Sequence, residues 1–286
     1  MTNLKDQKLC FIGGGNMGAA IIAGLLANGS TTPGNVVVSE PWDVNRKKVE
    51  DQLKVRTTTS NADAAKDADI LVLAVKPQVA KGVCQELAES WKGQEKLPLI
   101  VSIAAGIPST SLTSWFTTSD GRSPNVVRVM PNTPALVGEG ASGAYAGEGV
   151  SKNERELVNG LLAGFGKVTE WVEKEDLIDV VTGLSGSGPA YFFALVEHMV
   201  SSAVALGMPQ EQAERLAKQT CLGAGKMLVE SKNESPAQLR INVTSPKGTT
   251  EAALNSFKES NFQEIVNKAV KAATSRGEEL GKILGD

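Results

Sequence analysis

The chain predicts a doubly wound α/β domain, Rossmann-like in plan, followed by an all-helical domain. Three observations carry this. In the first half, short apolar runs alternate with helical segments, and each run ends in glycine, proline or small polar residues. That is the pattern of a mostly parallel sheet buried on both faces, with ligands bound beyond the carboxyl ends of the strands. From about residue 151 the pattern changes to longer segments with apolar residues at helical spacing. Between the first run and the first helix stands Gly13-x-Gly15-x-x-Gly18.

The elements follow in order. Lys8–Ile12 is a short apolar strand, and Met17–Leu26 is a helix with small residues facing the sheet. Val36–Ser39 is a β-branched strand, residues 43–53 a polar helix, and Val55–Thr58 a third strand. Ile70–Val75 is a continuous apolar run, and Lys76-Pro77 stops it because proline cannot donate to a ladder. Leu99–Ser102 and Val126–Met130 repeat the pattern, ending in Ala104-Ala105-Gly106 and Pro131-Asn132-Thr133-Pro134. Residues 151–164 read as a helix and Lys167–Val172 as a short strand. Six helices are then expected, over 177–184, 190–206, 210–229, 236–241, 250–260 and 262–284. Ser-Gly-Ser-Gly-Pro at 185–189 and Gly207-Met-Pro209 separate the first three, with Pro209 suited to a first helical turn. The two domains are placed at 1–164 and 165–286. The helix beginning near Ala190 is apolar on more than one face, which requires burial, so a helical dimer interface is expected.

Composition narrows the function. The net charge of −3 gives no electrostatic reason for nucleic acid or an anionic membrane as partner. Cys10, Cys84 and Cys221 lie far apart without metal or redox spacing, and read as small hydrophobes in a reducing compartment. The single histidine, His198, leaves no histidine-based metal site, so no metal is expected, and a Ser-His-Asp hydrolase is disfavoured. His198 itself reads as a packing or interface residue. The polar start and the lack of a run of about 18 apolar residues point to a cytoplasmic protein without a membrane span.

The glycine motif, following a strand and opening a helix, is a dinucleotide fingerprint. Gly13 allows the tight turn, Gly15 lets a pyrophosphate approach the backbone, and Gly18 lets helix and strand pack closely. The helix start adds unpaired N–H groups and partial positive charge. The second strand ends at Ser39-Glu40-Pro41, where an acidic residue commonly binds ribose hydroxyls and favours NADH. Ser39, Arg46, Lys47 and Lys48 point the other way, towards NADPH, if they turn inward, and a solvated helix face explains the basic cluster equally well. Far along the chain, Asn242-Val-Thr-Ser-Pro-Lys-Gly-Thr-Thr-Glu251 is a hydroxyl-rich turn running into a helix. Such a turn offers N–H groups and small hydroxyls to a carboxylate. Together the two ends suggest a reductase of a small amino-acid-like substrate.

Six motifs in order resemble the pyrroline-5-carboxylate reductase family, from Phe11 to about Leu284. They are Phe-Ile-Gly-Gly-Gly-Asn-Met-Gly (11–18), Ala-Val-Lys-Pro (74–77), Ser-Ile-Ala-Ala-Gly (102–106), Met-Pro-Asn-Thr-Pro-Ala (130–135), Ser-Gly-Ser-Gly-Pro-Ala-Tyr (185–191) and Thr-Ser-Pro-Lys-Gly-Thr-Thr (244–250). The resemblance implies reduction of 1-pyrroline-5-carboxylate to L-proline, the last step of proline biosynthesis. It also implies NADPH as donor, with NADH as the alternative, and a homodimer built through the helical domain, in the family often assembled into rings of dimers. It implies a pyrophosphate held by Gly13, Gly14, Gly15, Asn16, Met17 and Gly18, and an adenosine side met by Ser39 and Asn61. Ala74, Val75, Lys76, Pro77, Ile103, Ala104 and Ala105 would line the nicotinamide half, and Asn242 would reach the cofactor from the helical domain. Thr249 and Thr250 would hold the substrate carboxylate with Ser245 nearby, and Glu175 matches a position close to the substrate. Thr250 is assigned the orienting, catalytic role.

One departure is Lys247, where the family carries glycine. A side chain is costly at positive φ, so Lys247 is expected at ordinary φ or in a shifted loop. Its charge could instead complement a carboxylate. The chemistry implied asks little of acid–base groups, because an iminium accepts hydride readily and the protein mainly positions two reactants. A β-hydroxyacid dehydrogenase would need a lysine in the helix that follows Gly188, and Pro-Ala-Tyr-Phe-Phe-Ala-Leu has none. A non-catalytic nucleotide-binding module would have no use for the 245–250 turn.

Overall fold

The computed structural model describes residues 3–285, and its contacts divide them into two compact units. One comprises the chain up to Ser187 together with Lys271 onward, and the other is Gly188–Val270.

The first unit is built on one eight-stranded sheet. Its strands are β1 (Leu9–Ile12), β2 (Val36–Ser39), β3 (Arg56–Thr58), β4 (Ile70–Leu73), β5 (Leu99–Ser102), β6 (Val126–Met130), β7 (Gly140–Ala146) and β8 (Gly166–Trp171). Their spatial order is β3-β2-β1-β4-β5-β6-β7-β8. The first six run parallel, β7 is antiparallel to β6, and β8 is parallel to β7. The order reverses between β1 and β4, which opens a crevice at their carboxyl ends. Helices α1 (Asn16–Ala27), α2 (Asp43–Leu53), α3 (Asn61–Ala65), α4 (Pro77–Ser90), α5 (Ser109–Trp115), α6 (Lys152–Leu162) and α7 (Leu177–Val181) complete the unit.

Strands β1, β4 and β5 are buried at every residue, so alternate side chains feed two cores. Leu9, Phe11, Ile70 and Val72 pack with Ile22, Leu25 and Leu161 on one face. Cys10, Ile12, Leu71 and Leu73 pack with Leu87, Trp91 and Phe116 on the other. Burial pushes the Cys10 thiol far up and the Cys84 thiol up to about 12, as suits hydrophobic filler.

Three expectations need adjusting. β4 ends at Leu73, because Ala74 and Val75 leave the sheet to bring the chain to Lys76, the residue that caps α4, with Pro77 in its first turn. β7 was not anticipated. Its Gly-Ala-Ser-Gly-Ala-Tyr-Ala sequence lacks β-branched residues because α7 lies against it. A Cβ on Gly143 would stand 2.7 Å from Val181. The expected boundary at 164/165 cuts β8 away from β7, its partner in the sheet, whereas the compact units divide at 187/188 and 270/271.

The second unit holds α8 (Gly188–Ala205), α9 (Gln210–Glu230), α10 (Pro236–Asn242), α11 (Thr249–Glu259) and the first part of α12 (Phe262–Leu284). A π-turn, Thr182–Gly186, precedes α8. Gly186 allows it to press against Met130, since a Cβ there would lie 2.6 Å from that side chain. Among the described residues no helix is long and apolar enough to cross a membrane.

Candidate active site

In the sheet unit, every expected cofactor residue lies at or beyond the carboxyl end of a strand. Gly13 follows β1 at φ +104°, and its N–H donates to the Ser39 carbonyl at 2.8 Å. A Cβ on Gly13 would meet the Ala74 carbonyl oxygen at 2.6 Å, and one on Gly18 would meet the Gly13 carbonyl oxygen at 2.6 Å. Only glycine fits at either position. Around Gly15 the space is open, and Gly15 caps α1 without any side-chain bond. Among the described residues no protein acceptor takes the N–H groups of Gly15, Asn16 or Met17. These groups stand open at the positive end of α1, where an anion would be received.

Ser39 and Asn61, expected on the adenosine side, are in contact. The Ser39 hydroxyl donates to Asn61 Oδ1 at 2.7 Å, and Asn61 Nδ2 donates to Glu86 at 2.9 Å. Glu40 does not present its carboxylate to the crevice. It accepts from the N–H of Gly14 at 2.8 Å and of Trp42 at 3.1 Å. Arg46 is turned inward to the Glu40 carbonyl and Asp43. The Ala74–Pro77 and Ile103–Ala105 segments sit side by side, joined to the ladder by Ala74 N–H to Ile12 and Ile103 N–H to Leu73.

Glu175 belongs to the sheet unit and is fully engaged there. It accepts from the Ser109 N–H at 2.5 Å, the Ser109 hydroxyl at 2.6 Å and Arg128 Nη1 at 2.6 Å. It thus ties β6 to the start of α5. Burial raises its carboxyl, but the Ser109 and Arg128 bonds together outweigh burial and hold it below the ordinary range. Burial, with Glu278, Glu175 and Asp176 adding repulsion, lifts the neighbouring Asp179 carboxyl despite Arg128.

In the helical unit, Ser245-Pro246-Lys247-Gly248 closes a β-turn, with the Gly248 N–H on the Ser245 carbonyl at 3.0 Å. Lys247 stands at φ +59°. Proline second and positive φ third are the marks of a type II turn. The turn therefore keeps the left-handed position that glycine would favour and places lysine in it. Neither an ordinary φ nor a shift of that position relieves the side chain. The Lys247 N–H donates to Glu251 at 2.7 Å, which fixes the entry into α11. Gly248 caps α11 without a side-chain bond, so the N–H groups of Thr249 and Thr250 open the helix unpaired. Asn242, at the end of α10, is bound locally. Its amide accepts from Gln238 at 2.8 Å and donates to Glu234 at 2.5 Å.

A family model described as pyrroline-5-carboxylate reductase dimerisation matches residues 175–280, and one described as NADP oxidoreductase, coenzyme F420-dependent, matches residues 8–106. The chain is 46% identical to a pyrroline-5-carboxylate reductase of Pseudomonas aeruginosa, over 99% of this chain and all of that protein. The chain belongs to the pyrroline-5-carboxylate reductase family. Two solved structures of pyrroline-5-carboxylate reductases agree in fold. That from Coxiella burnetii has a TM-score of 0.88 at 39% identity, covering 96% of this chain and 98% of that one. That from Plasmodium falciparum, solved with NADP bound, has a TM-score of 0.82 at 29% identity, covering 97% and 99%.

Sequence reasoning missed Arg128, Ser109 and Asn132. Arg128 carried a signal, as the one charge inside the apolar run of β6. Buried Asn132 donates to the Ser185 carbonyl at 3.2 Å and accepts from the Ala141 N–H at 3.0 Å. It joins the Met130–Pro134 loop to β7 and the π-turn, a role for which a loop asparagine gives no advance sign.

Proposed function

We propose that this chain reduces 1-pyrroline-5-carboxylate to L-proline, with NADPH as preferred donor, as a cytoplasmic homodimer. The observation that carries the reading is that one member of this reductase family bears two anion-receiving turns: the open start of α1 and the uncapped start of α11. When bound, the reduced dinucleotide supplies a hydride to the imine carbon of the substrate. The substrate nitrogen, protonated from solvent, ends as the amine of proline, so atoms and charge balance.

This chain's own residues then have three tasks. The N–H groups of Gly15, Asn16 and Met17 hold the pyrophosphate, and the segments 74–77 and 103–105 form the wall for the nicotinamide half. The N–H groups and hydroxyls of Thr249 and Thr250 hold the substrate carboxylate, with Ser245 beside them. Thr250 orients the ring and is the catalytic residue of the assignment. Positioning of two reactants supplies most of the acceleration such a reaction needs.

The preference for NADPH is supported by the NADP-bound Plasmodium relative and by the inward-turned Glu40 carboxylate, which is not free to receive ribose hydroxyls. The test is loss of nicotinamide absorbance on adding pyrroline-5-carboxylate, with NADPH and NADH in parallel and proline measured as product. Hydroxyisobutyrate, offered with the oxidised cofactors NADP+ and NAD+ and read as a gain of that absorbance, serves as comparator. Absence of turnover with both donors would remove the reading.

A further inference from the structure

We propose that Glu40 is a positioning residue of the pyrophosphate cradle and takes no part in reading the cofactor's ribose. The inference rests on the reading of the Gly13–Gly18 turn as the dinucleotide site. A carboxylate ending the second strand of such a domain ordinarily accepts ribose hydroxyls and so disfavours a 2′-phosphate. That role needs oxygens facing the crevice. Those of Glu40 face the protein, and the residue is only 4% exposed. Oε2 accepts the Gly14 N–H at 2.8 Å and Oε1 the Trp42 N–H at 3.1 Å. The residue's own N–H donates to the Thr58 carbonyl at 3.0 Å, and its carbonyl accepts from Arg46 at 3.2 Å. Every polar group of Glu40 is engaged within the fold.

The bond to Gly14 acts on the turn. Of its N–H groups, that of Gly13 is held by the Ser39 carbonyl and that of Gly14 by Glu40, each at 2.8 Å. A Cβ on Gly14 would find Glu40, Val38 and Val49 each at 3.3 Å, so the backbone here is seated directly on β2 and α2. Hydrogen bonds to an ionised acceptor are the strong ones. Glu40 therefore fixes where the next residue, Gly15, begins the open row of N–H groups. That row meets the pyrophosphate, which NADPH and NADH share. It does not meet the 2′-phosphate, by which they differ.

The experiment titrates NADPH, NADH and 2′-AMP into the full chain as wild type, Glu40→Gln and Glu40→Ala. The alanine variant should bind both dinucleotides about ten-fold more weakly, the scale of a lost charge-assisted bond, with the ratio of the two affinities unchanged. The glutamine variant keeps one accepting oxygen and should fall between. The nucleotide 2′-AMP carries the ribose phosphate without a pyrophosphate and should bind all three proteins alike. A ratio that moves towards NADPH in either variant overturns the proposal, because Glu40 would then be sensing the 2′ position. Unchanged dinucleotide affinities overturn it, and so does a parallel loss of 2′-AMP binding, which would report general damage to the domain. Should the alanine variant fail to fold, the glutamine variant is read by the same criteria. A wild-type protein that binds neither dinucleotide removes the underlying reading of the turn, a separate failure visible before any variant is compared.

Discussion

The two compact units solve the problem of apolar surface in opposite ways. The sheet unit buries Phe11, Ile22, Leu71, Trp91 and Phe165 in two cores on either side of its strands. Among the described residues, the helical unit's buried cluster is Val200, Ala213 and Ala217, with Val196 and Ala203 packed against it. It leaves Phe192, Phe193, Leu195, Leu222, Met227 and Val229 exposed along α8 and α9. Apolar surface on that scale marks an interaction face. One unit encloses two cores of its own, and the other leaves long apolar faces uncovered. The match of residues 175–280 to a family described as dimerisation supports the proposal that a second copy covers this face. The reductase would then be stable only as far as its helical units find each other.

The strongest way to break that contrast is to charge the exposed face. Phe193 and Leu222 lie together on one cavity of the helical unit. Each such side chain is worth about 1.5–3 kcal/mol when covered, and a two-fold dimer counts each twice. The double variant Phe193→Asp, Leu222→Asp should therefore lose association and show unfolding that no longer depends on protein concentration. Sedimentation equilibrium reads the first and thermal melts at several concentrations the second. A variant that keeps the wild-type mass and melting behaviour would show that these helices need no partner there.

The sheet unit has a weak point of a different kind, the pair between Arg128 and Glu175, with side chains 7% and 23% exposed. Removing one member leaves a buried charge alone, so Glu175→Gln should cost about 3 kcal/mol in urea unfolding. The pH dependence sharpens this. The Glu175 carboxyl is held low, so its stabilisation is complete above the ordinary carboxylate range and is lost as pH falls through its native value. Asp179 is held high, so its charge opposes folding above its native value, and acidification relieves it. Glu175→Gln should flatten the loss of stability in acid, while Asp179→Asn should raise stability near neutrality. An acid limb identical to wild type in Glu175→Gln would place the acid-sensitive groups elsewhere.

Function should be touched next, with fold untouched, at Thr250. The side chain sits in the first turn of α11 and is partly open to solvent. Thr250→Ala should lower kcat/KM about ten-fold, the scale of one lost hydrogen bond to an anion, and leave the melting temperature near wild type. Thr250→Ser, which keeps the hydroxyl, should recover most of it. Full activity in the alanine variant would detach the substrate from this turn.

The same contrast governs what could be read in advance. In the sheet unit, buried parallel strands are unbroken apolar runs, so β1, β2, β5 and β6 were legible, and the cofactor loops followed because they hang from strand ends. β7 was not legible, because close packing of α7 on Gly143 requires small residues and thereby erases strand propensity. The direction of the Glu40 carboxylate was open for a similar reason. An acid after β2 can face a ribose or its own glycine turn, and the residue type is the same in both cases. In the helical unit the elements were plain, but the apolar residues could not say which neighbour covers them. Helical periodicity records that a face is apolar and does not record whether its partner is the same chain.

Lys247 offers the smallest effect and the finest test. A lysine at φ +59° carries a steric cost of about 1–2 kcal/mol that glycine would not. Glycine adds chain entropy to the unfolded state, which returns about 0.5–1 kcal/mol of that. Lys247→Gly should therefore stabilise the protein by about 0.5–1 kcal/mol, measured by urea unfolding. The two roles weighed for this residue separate in the kinetics. If the turn alone matters, KM for pyrroline-5-carboxylate stays at the wild-type value, because the Gly248 N–H bond to Ser245 and the open N–H groups of Thr249 and Thr250 are all backbone. If the ammonium group draws in the substrate carboxylate, KM rises in the variant and the difference shrinks with added salt, as a screened interaction must. The lysine's neighbour Glu251 already holds a carboxylate against the turn, accepting the Lys247 N–H at 2.7 Å, and this favours the first outcome. That bond is made to the backbone at 247, and the backbone geometry the lysine tolerates is what the turn keeps.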